Sequence, residues 1–282
     1  MKRILVLVLC LALAALLLAS CSQKTAEPSS TPSSIAASTP EAAPEPTPEP
    51  AEPVSILVFA AASLKNALPE IYSNYQAEHP EVTIEFNFKS SGDLQTQIEE
   101  GAGADLFISA GAKQMTALNE KGLINSDTNI DLLVNKVVLV VPLGNPKGIT
   151  TWEDVIDKAE TLSIGDPAHV PAGQYTEESY TTLGLWDKIT AKTVNYSADV
   201  TAVLATVESG DADAGFVYWS DAVSSGNVEV VAAAPEGSHK AVIYPAAVIS
   251  DAPQPEAAQA FLDYLKTQAA ADVFVKYGFT VA

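Results

Sequence analysis

From Val54 to the end of the chain, short apolar runs alternate with stretches whose apolar residues recur at spacings of three and four. Val54–Ala60 (VSILVFA) reads as a buried strand, and Leu64, Ala67, Leu68, Ile71, Tyr72 and Tyr75 then repeat as one face of a helix. Val82–Phe88 alternates as a strand does. A short helix about Leu94–Glu100 stops at Gly101, Asp105–Ser109 is a strand, a helix around Met115 and Leu118 stops at Gly122, and Asn135–Pro142 is a long apolar strand. The pattern then restarts. Helices are expected over Trp152–Ala159 and Gln174–Leu183, with a strand over Leu162–Gly165 between them. A further helix is capped by Asp199 and carries Val200, Val203, Leu204 and Val207 on one face. Gly215–Trp219, Val228–Ala232 and Ala241–Ser250, the last broken by Pro245, are strands, and two helices close the chain. Strands alternating with helices predict an α/β protein of mixed, mostly parallel sheets flanked by helices. The 229 residues from Val54 to Ala282 are enough for two lobes.

The first fifty-three residues are of another kind. Lys2 and Arg3 precede sixteen apolar residues, Ile4 to Ala19, a charged start and a core too short to span a bilayer comfortably. Leu18-Ala19-Ser20-Cys21 resembles a bacterial lipobox, in which the chain is cut before a cysteine that is then acylated. Residues 1–20 are therefore expected to be a lipoprotein signal peptide and Cys21 the lipidated start of the mature chain. Residues 22–53 hold eight prolines and five glutamates with one lone aliphatic, Ile35. Such a segment buries too little apolar surface to offset its ordering entropy. Together with Cys21 it is expected to be a disordered tether (residues 21–53) holding the lobes outside the cytoplasm, anchored to the cell membrane only by the lipid.

Charge excludes several classes. The formal charge is −20, and the only arginine is Arg3. Residues 54–282 hold 12 lysines, no arginine and 30 carboxylates. That is a poor nucleic-acid binder, lacking the cations that displace phosphate counterions, and a poor ligand for an anionic membrane surface. Both cysteines, Cys10 and Cys21, precede the lobes, so neither a disulfide framework nor a thiolate metal site is available there.

Catalytic constellations are missing. His79, His169 and His239 have no metal-ligand spacing, no Gly-x-Ser-x-Gly elbow exists, and no Walker loop exists. An enzyme is not expected. Four strand-to-helix junctions do have an unusual make-up: Phe59-Ala60-Ala61-Ala62-Ser63-Leu64, Lys89-Ser90-Ser91-Gly92-Asp93-Leu94, the Pro/Gly loop Gly165–Gly173, and Ser197-Ala198-Asp199-Val200. Open α/β sheets bind ligands at such places. A helix start offers unpaired N–H donors and a partial positive charge to an anion, and serine hydroxyls add donors. One serine before a helix is ordinarily just a cap; four such junctions together point to an anion cleft.

The same residues carry a resemblance. Val58-Phe59-Ala60-Ala61-Ala62-Ser63-Leu64, Ser90-Ser91-Gly92, Gly101–Ala110, Gly165-Asp166-Pro167 with Val170-Pro171-Ala172-Gly173, Val217-Tyr218 with Ser220-Asp221-Ala222, and Lys276-Tyr277-Gly278-Phe279 resemble the molybdate-binding proteins of ABC-type importers. The likeness spans Val54 to Ala282. It implies a two-lobed periplasmic-binding-protein fold with the ligand in the cleft, one lobe formed by residues 54–136 and 244–282 and the other by 137–243. It implies oxyanion binding by neutral groups: the Ser63 and Ser91 hydroxyls from one lobe, and the Ala172 and Val200 N–H groups and the Tyr218 hydroxyl from the other. Molybdenum would then be held through its oxo groups, with no protein atom as a direct metal ligand and no cofactor. Tungstate is the other ligand implied. The partners implied are an ABC permease and its ATPase, served by a monomer. Lys89, Gly103 and Trp219 depart from the family's pattern. On the strand reading, Trp219 points away from Tyr218, and Lys89 adds a cation near the rim.

The missing arginine shapes the mechanism. Affinity must come from converging dipoles and hydroxyls in a dry cleft, where they count for more than in water. A site of donors alone suits a fully ionised tetrahedral dianion, whereas hydrogen phosphate would want an acceptor. Molybdate, tungstate and sulfate all meet that condition and phosphate ranks last; the resemblance puts molybdate and tungstate ahead of sulfate. A binding protein for sulfate or another tetrahedral oxyanion, and a surface sensor without a transport role, remain the alternatives.

Overall fold

The computed structural model describes residues 52–282, so the signal, lipidation and most of the tether readings, Cys21 included, lie outside the described residues. Among the described residues eleven strands form two sheets. In chain order they are β1 (Val54–Ala61), β2 (Val82–Lys89), β3 (Leu106–Ile108), β4 (Ile130–Asn135), β5 (Val137–Pro142), β6 (Thr161–Gly165), β7 (Thr193–Ser197), β8 (Ala214–Tyr218), β9 (Val228–Ala233), β10 (Val242–Val248) and β11 (Thr280–Val281). The helices are α1 (Ala67–Glu78), α2 (Ser91–Glu99), α3 (Ala112–Glu120), α4 (Asp154–Lys158), α5 (Pro171–Thr182), α6 (Trp186–Thr190), α7 (Val200–Glu208), α8 (Trp219–Val223), α9 (Pro255–Tyr264) and α10 (Gln268–Lys276).

The first sheet has the order β11-β4-β10-β3-β1-β2 and the second β7-β6-β8-β5-β9. Both are mixed. β1 runs parallel to β2 and β3, and β6 parallel to β7 and β8. β10 is antiparallel to β3 and β4, and β5 to β8 and β9. The antiparallel pairs involve β4, β5, β9 and β10, the strands that carry the chain between sheets: it leaves the first sheet through Lys136, between β4 and β5, and returns through residues 234–241. β10 begins at Val242, slightly ahead of residue 244, and a bulge at Tyr244/Pro245 accommodates the proline.

Two readings of the sequence change here. The strand expected over Asn135–Pro142 is β5 from Val137 onward; Asn135 instead ends β4, a strand the sequence reading left out, and the chain passes from one sheet to the other at Lys136. Trp219 is not the last residue of a strand. It opens α8, because the Asp221 carboxylate accepts the Tyr218 N–H at 3.2 Å and caps a helix there. The argument that strand alternation turns Trp219 away from Tyr218 therefore does not apply.

Each sheet is covered by helices whose apolar faces the sequence periodicity sets. Ile56, Val58, Leu68, Ile71 and Phe261 are buried on the first, and Tyr75 meets Phe261 edge-on at 5.2 Å. On the second, Trp152 packs against Phe216 at 4.8 Å and Tyr180 at 5.1 Å, with Val203 and Val207 of α7 beside them in the core. α5 sits unusually close to the end of β6: a Cβ on Gly173 would collide with the Gly165 carbonyl. Glycine at both positions lets that helix start directly above the strand end. Among the described residues no helix is long and apolar enough to cross a membrane.

Candidate functional site

All the strands that feed the site end on one side. The carboxyl end of β1 runs into a single 3-10 turn, Ala62–Leu64, which holds Ser63. After β2, Ser90 caps α2 by accepting the Asp93 N–H at 3.2 Å, which leaves the next residue, Ser91, free for another task. β3 ends beside Ala110. From the other lobe, α5 begins at Pro171, α7 begins at Val200 under the Asp199 cap (Oδ1 from the Ala202 N–H, 2.9 Å), and Tyr218 ends β8.

These pieces line one narrow, partly open cavity. The first lobe contributes Ala61, Ala62, Ser63, Lys89, Ser90, Ser91 and Ala110; the second contributes Val170, Pro171, Asp199, Val200 and Tyr218. So Ser63, Ser91, Val200 and Tyr218 face a common space. Ala172 does not line it but is buried immediately behind Pro171, in the first turn of α5. Neither the Ala172 nor the Val200 N–H meets a protein acceptor among the described residues, as expected for helix starts.

Hydrogen bonds define how each hydroxyl is used. Ser91 Oγ accepts the Ala110 N–H at 2.9 Å, so its own proton is free. Ser63 Oγ lies 2.9 Å from Tyr244 Oη. Tyr218 Oη donates to the Ala110 carbonyl at 3.2 Å, across the two lobes. Burial pushes the Tyr218 and Tyr244 phenols well above their ordinary range, so both keep their protons. The lobes also meet where the Gly92 N–H donates to the His169 carbonyl and where Asn135 Nδ2 donates to Ser220 Oγ, each at 2.9 Å. The cavity is thus seen with its walls drawn together.

Two charged side chains reach the lining. Lys89 is exposed at the end of β2 and makes no ion pair among the described residues. Asp199 is turned onto α7 by its capping bond. A larger groove, whose lining includes Lys113, Glu177, Glu178, His239 and Lys240, is wide open to solvent. Among the described residues no group of three or more His, Cys, Asp or Glu could hold a metal ion. Chemically, the small cavity can hold an anion through its oxygens; it presents no nucleophile paired with a base.

Three participants were not among the site residues expected from the sequence. Ala110 serves both Ser91 and Tyr218 through its backbone. Tyr244 reaches Ser63, and Asn135 reaches Tyr244, from strands far away in sequence.

Comparison with known proteins agrees with this architecture. A family described as bacterial extracellular solute-binding protein matches residues 56–280. A Bacillus subtilis (strain 168) protein, YvgL, whose name includes the words substrate-binding lipoprotein, is 42% identical over 227 residues, covering 80% of this chain and 86% of its own. The molybdate-binding protein ModA of Escherichia coli (strain K12) is 43% identical over 237 residues, covering 82% of this chain and 91% of its own. Among solved structures, the periplasmic molybdate-binding protein of Azotobacter vinelandii shares the fold with a TM-score of 0.72 at 21% identity, over 80% of this chain and 99% of that one. With the match running through both sheets and every strand that builds the cavity, the chain belongs to the bacterial extracellular solute-binding protein family.

Proposed function

We propose that this protein binds molybdate, and tungstate with it, outside the cytoplasm and delivers it to an ABC permease driven by its ATPase. One observation carries the reading: helix starts and hydroxyls from both lobes converge on a single cavity whose buried donors are neutral groups, with the exposed Lys89 at its edge. The ligand donors are the Ser63, Ser91 and Tyr218 hydroxyls and the Ala172 and Val200 N–H groups. Donors of this kind favour an anion that only accepts hydrogen bonds. At neutral pH molybdate and tungstate are such ions, while inorganic phosphate keeps a proton. The name of the Escherichia coli relative supports the choice of oxyanion.

Ligand bridging the two lobes favours the closed arrangement in proportion to the extra contacts made there, and the permease would receive that form. A Cys21 lipid and the residues up to 53 would hold the monomeric binding unit at the membrane, a reading that the name of the Bacillus subtilis relative supports. The chain would perform no chemistry on its ligand.

The test is thermal unfolding of the full chain against molybdate, tungstate, sulfate and phosphate. A ligand at one hundred times its Kd stabilises the native state by about 2.7 kcal/mol, a shift of a few degrees for a body of this size. A shift with molybdate and tungstate and none with phosphate is expected. A shift with sulfate alone would reassign the ligand, and no shift with any of the four would end the oxyanion reading.

A further inference from the structure

The Ser63 hydroxyl stands at the end of a buried chain of hydrogen bonds whose polarity can be read from its far end. Lys136 is the residue at which the chain crosses between the sheets, and its backbone N–H meets Asn135 at 2.9 Å. A backbone N–H can only donate, so the atom facing it is the Asn135 oxygen, and the amide nitrogen must point the other way. That nitrogen lies 2.9 Å from Ser220 Oγ and 3.3 Å from Tyr244 Oη, one hydrogen for each. Tyr244 Oη is therefore an acceptor toward Asn135. Its own proton is fully buried and needs an acceptor, and Ser63 Oγ, at 2.9 Å, is the one the structure provides. The reverse arrangement, with Ser63 donating to Tyr244, would strand the phenol proton in the interior. Ser63 Oγ thus receives a hydrogen bond, and its single proton is left to point into the cavity that it lines.

We propose that Asn135 and Tyr244 are positioning residues that fix the Ser63 hydroxyl as a donor toward the bound oxyanion. The inference rests on the oxyanion reading above and deepens it. It makes the selectivity against protonated anions a property of residues that never touch the ligand. A serine free to turn could donate to one ligand and accept from another; a serine whose lone pair is held by Tyr244 favours the ligand that brings no proton. Asn135 Nδ2 also ties β4 to Ser220 of α8, in the other lobe, so the relay is completed where the two lobes join.

The test is a double-mutant cycle on the full chain, with calorimetric titration of molybdate and of inorganic phosphate. Tyr244→Phe should weaken molybdate by about three- to tenfold, the range for one neutral hydrogen bond. It should also lower the ratio of molybdate to phosphate affinity, because the released serine oxygen can accept the phosphate proton. In a Ser63→Ala background, the same Tyr244→Phe change should alter neither the affinity nor the ratio by more than about twofold. Asn135→Ala is the second arm, should Tyr244→Phe fold poorly. It should shift the ratio in the same direction, and again only when Ser63 is present. Losses that simply multiply in the double variants, or a ratio unmoved in both single variants, would overturn the relay while leaving the oxyanion site standing. A wild-type chain that binds neither anion would remove both.

Discussion

The Gly92 N–H donates to the His169 carbonyl at 2.9 Å, backbone to backbone, from the first turn of α2 in one lobe to the Pro/Gly loop of the other. A Cβ on Gly92 would stand 2.7 Å from the His169 Cα as well as against its carbonyl. Those are backbone atoms, so relief requires the lobes to part. Gly92→Ala should therefore weaken molybdate binding by about 1–3 kcal/mol, the usual cost of overpacking. The ligand-free protein should melt no earlier, because alanine suits a helix better than glycine. Calorimetric titration beside a ligand-free melting curve checks this. An unchanged affinity would show that the lobes need not meet here for binding.

The two hydroxyls that share Ala110 should not be equally important. Ser91 takes the Ala110 N–H and keeps its proton free, whereas the single proton of Tyr218 already has the Ala110 carbonyl as acceptor. Ser91→Ala should cost about 1.5–3 kcal/mol of molybdate affinity, the range for a bond to a charged group. Tyr218→Phe should cost less than about 1.5 kcal/mol, since the anion merely exchanges with an existing partner. Equal losses in titrations of the two variants would mean that the tyrosine proton leaves Ala110 completely when ligand arrives.

Burial raises the Asp221 carboxyl to about 7, and the nearby Asp199 charge adds to this while the Tyr218 N–H and Lys65 oppose it. An acid with a folded pKa above its unfolded value of about 4 holds its proton longer in the native state. The native state is then favoured at acid pH, and stability falls as pH rises from about 4 through 7. Asp221→Asn keeps an oxygen to accept the Tyr218 N–H and removes the ionisation. Its melting temperature should match the wild type near pH 4 and exceed it above pH 7. Parallel melting curves across that interval would contradict the assignment.

Lys89 is an exposed cation at the mouth of a cavity in a strongly acidic protein. Its contribution should be to capture more than to hold. Lys89→Gln should slow molybdate association several-fold at low salt, as expected when steering is lost, and leave dissociation nearly unchanged. Raising the ionic strength to about 1 M, where the screening length is about 3 Å, should erase the difference. Stopped-flow binding at two salt concentrations decides it.

Much of this architecture is written locally. The apolar run at β1, the alternation in β2 and the Asp199-capped face of α7 each depend on neighbours a few residues away, and periodicity reveals them. The four junctions are legible for the same reason, since small residues and helix starts are adjacent in the chain. What escapes is anything decided across the fold. The polar pair Asn135-Lys136 interrupts the apolar run, but nothing local says that the chain changes sheets there. The end of β8 before Trp219 depends on a carboxylate at Asp221 turning back onto the Tyr218 N–H. Tyr244 and Asn135 matter only through partners brought from distant segments, and no spacing along the chain could announce them.

The strand order β11-β4-β10-β3-β1-β2 also has a temporal meaning. β4 emerges long before β10 and β11, the two strands that flank it, and β3 likewise waits for β10 on one side. The segment that builds the second sheet is continuous, so it can close on itself early. The first sheet cannot be completed until the last forty or so residues have arrived. Until then its half-made edges stand open to pairing with other chains. A protein built in this order gains from being kept unfolded until β10, the strand that joins β4 to β3, has been made.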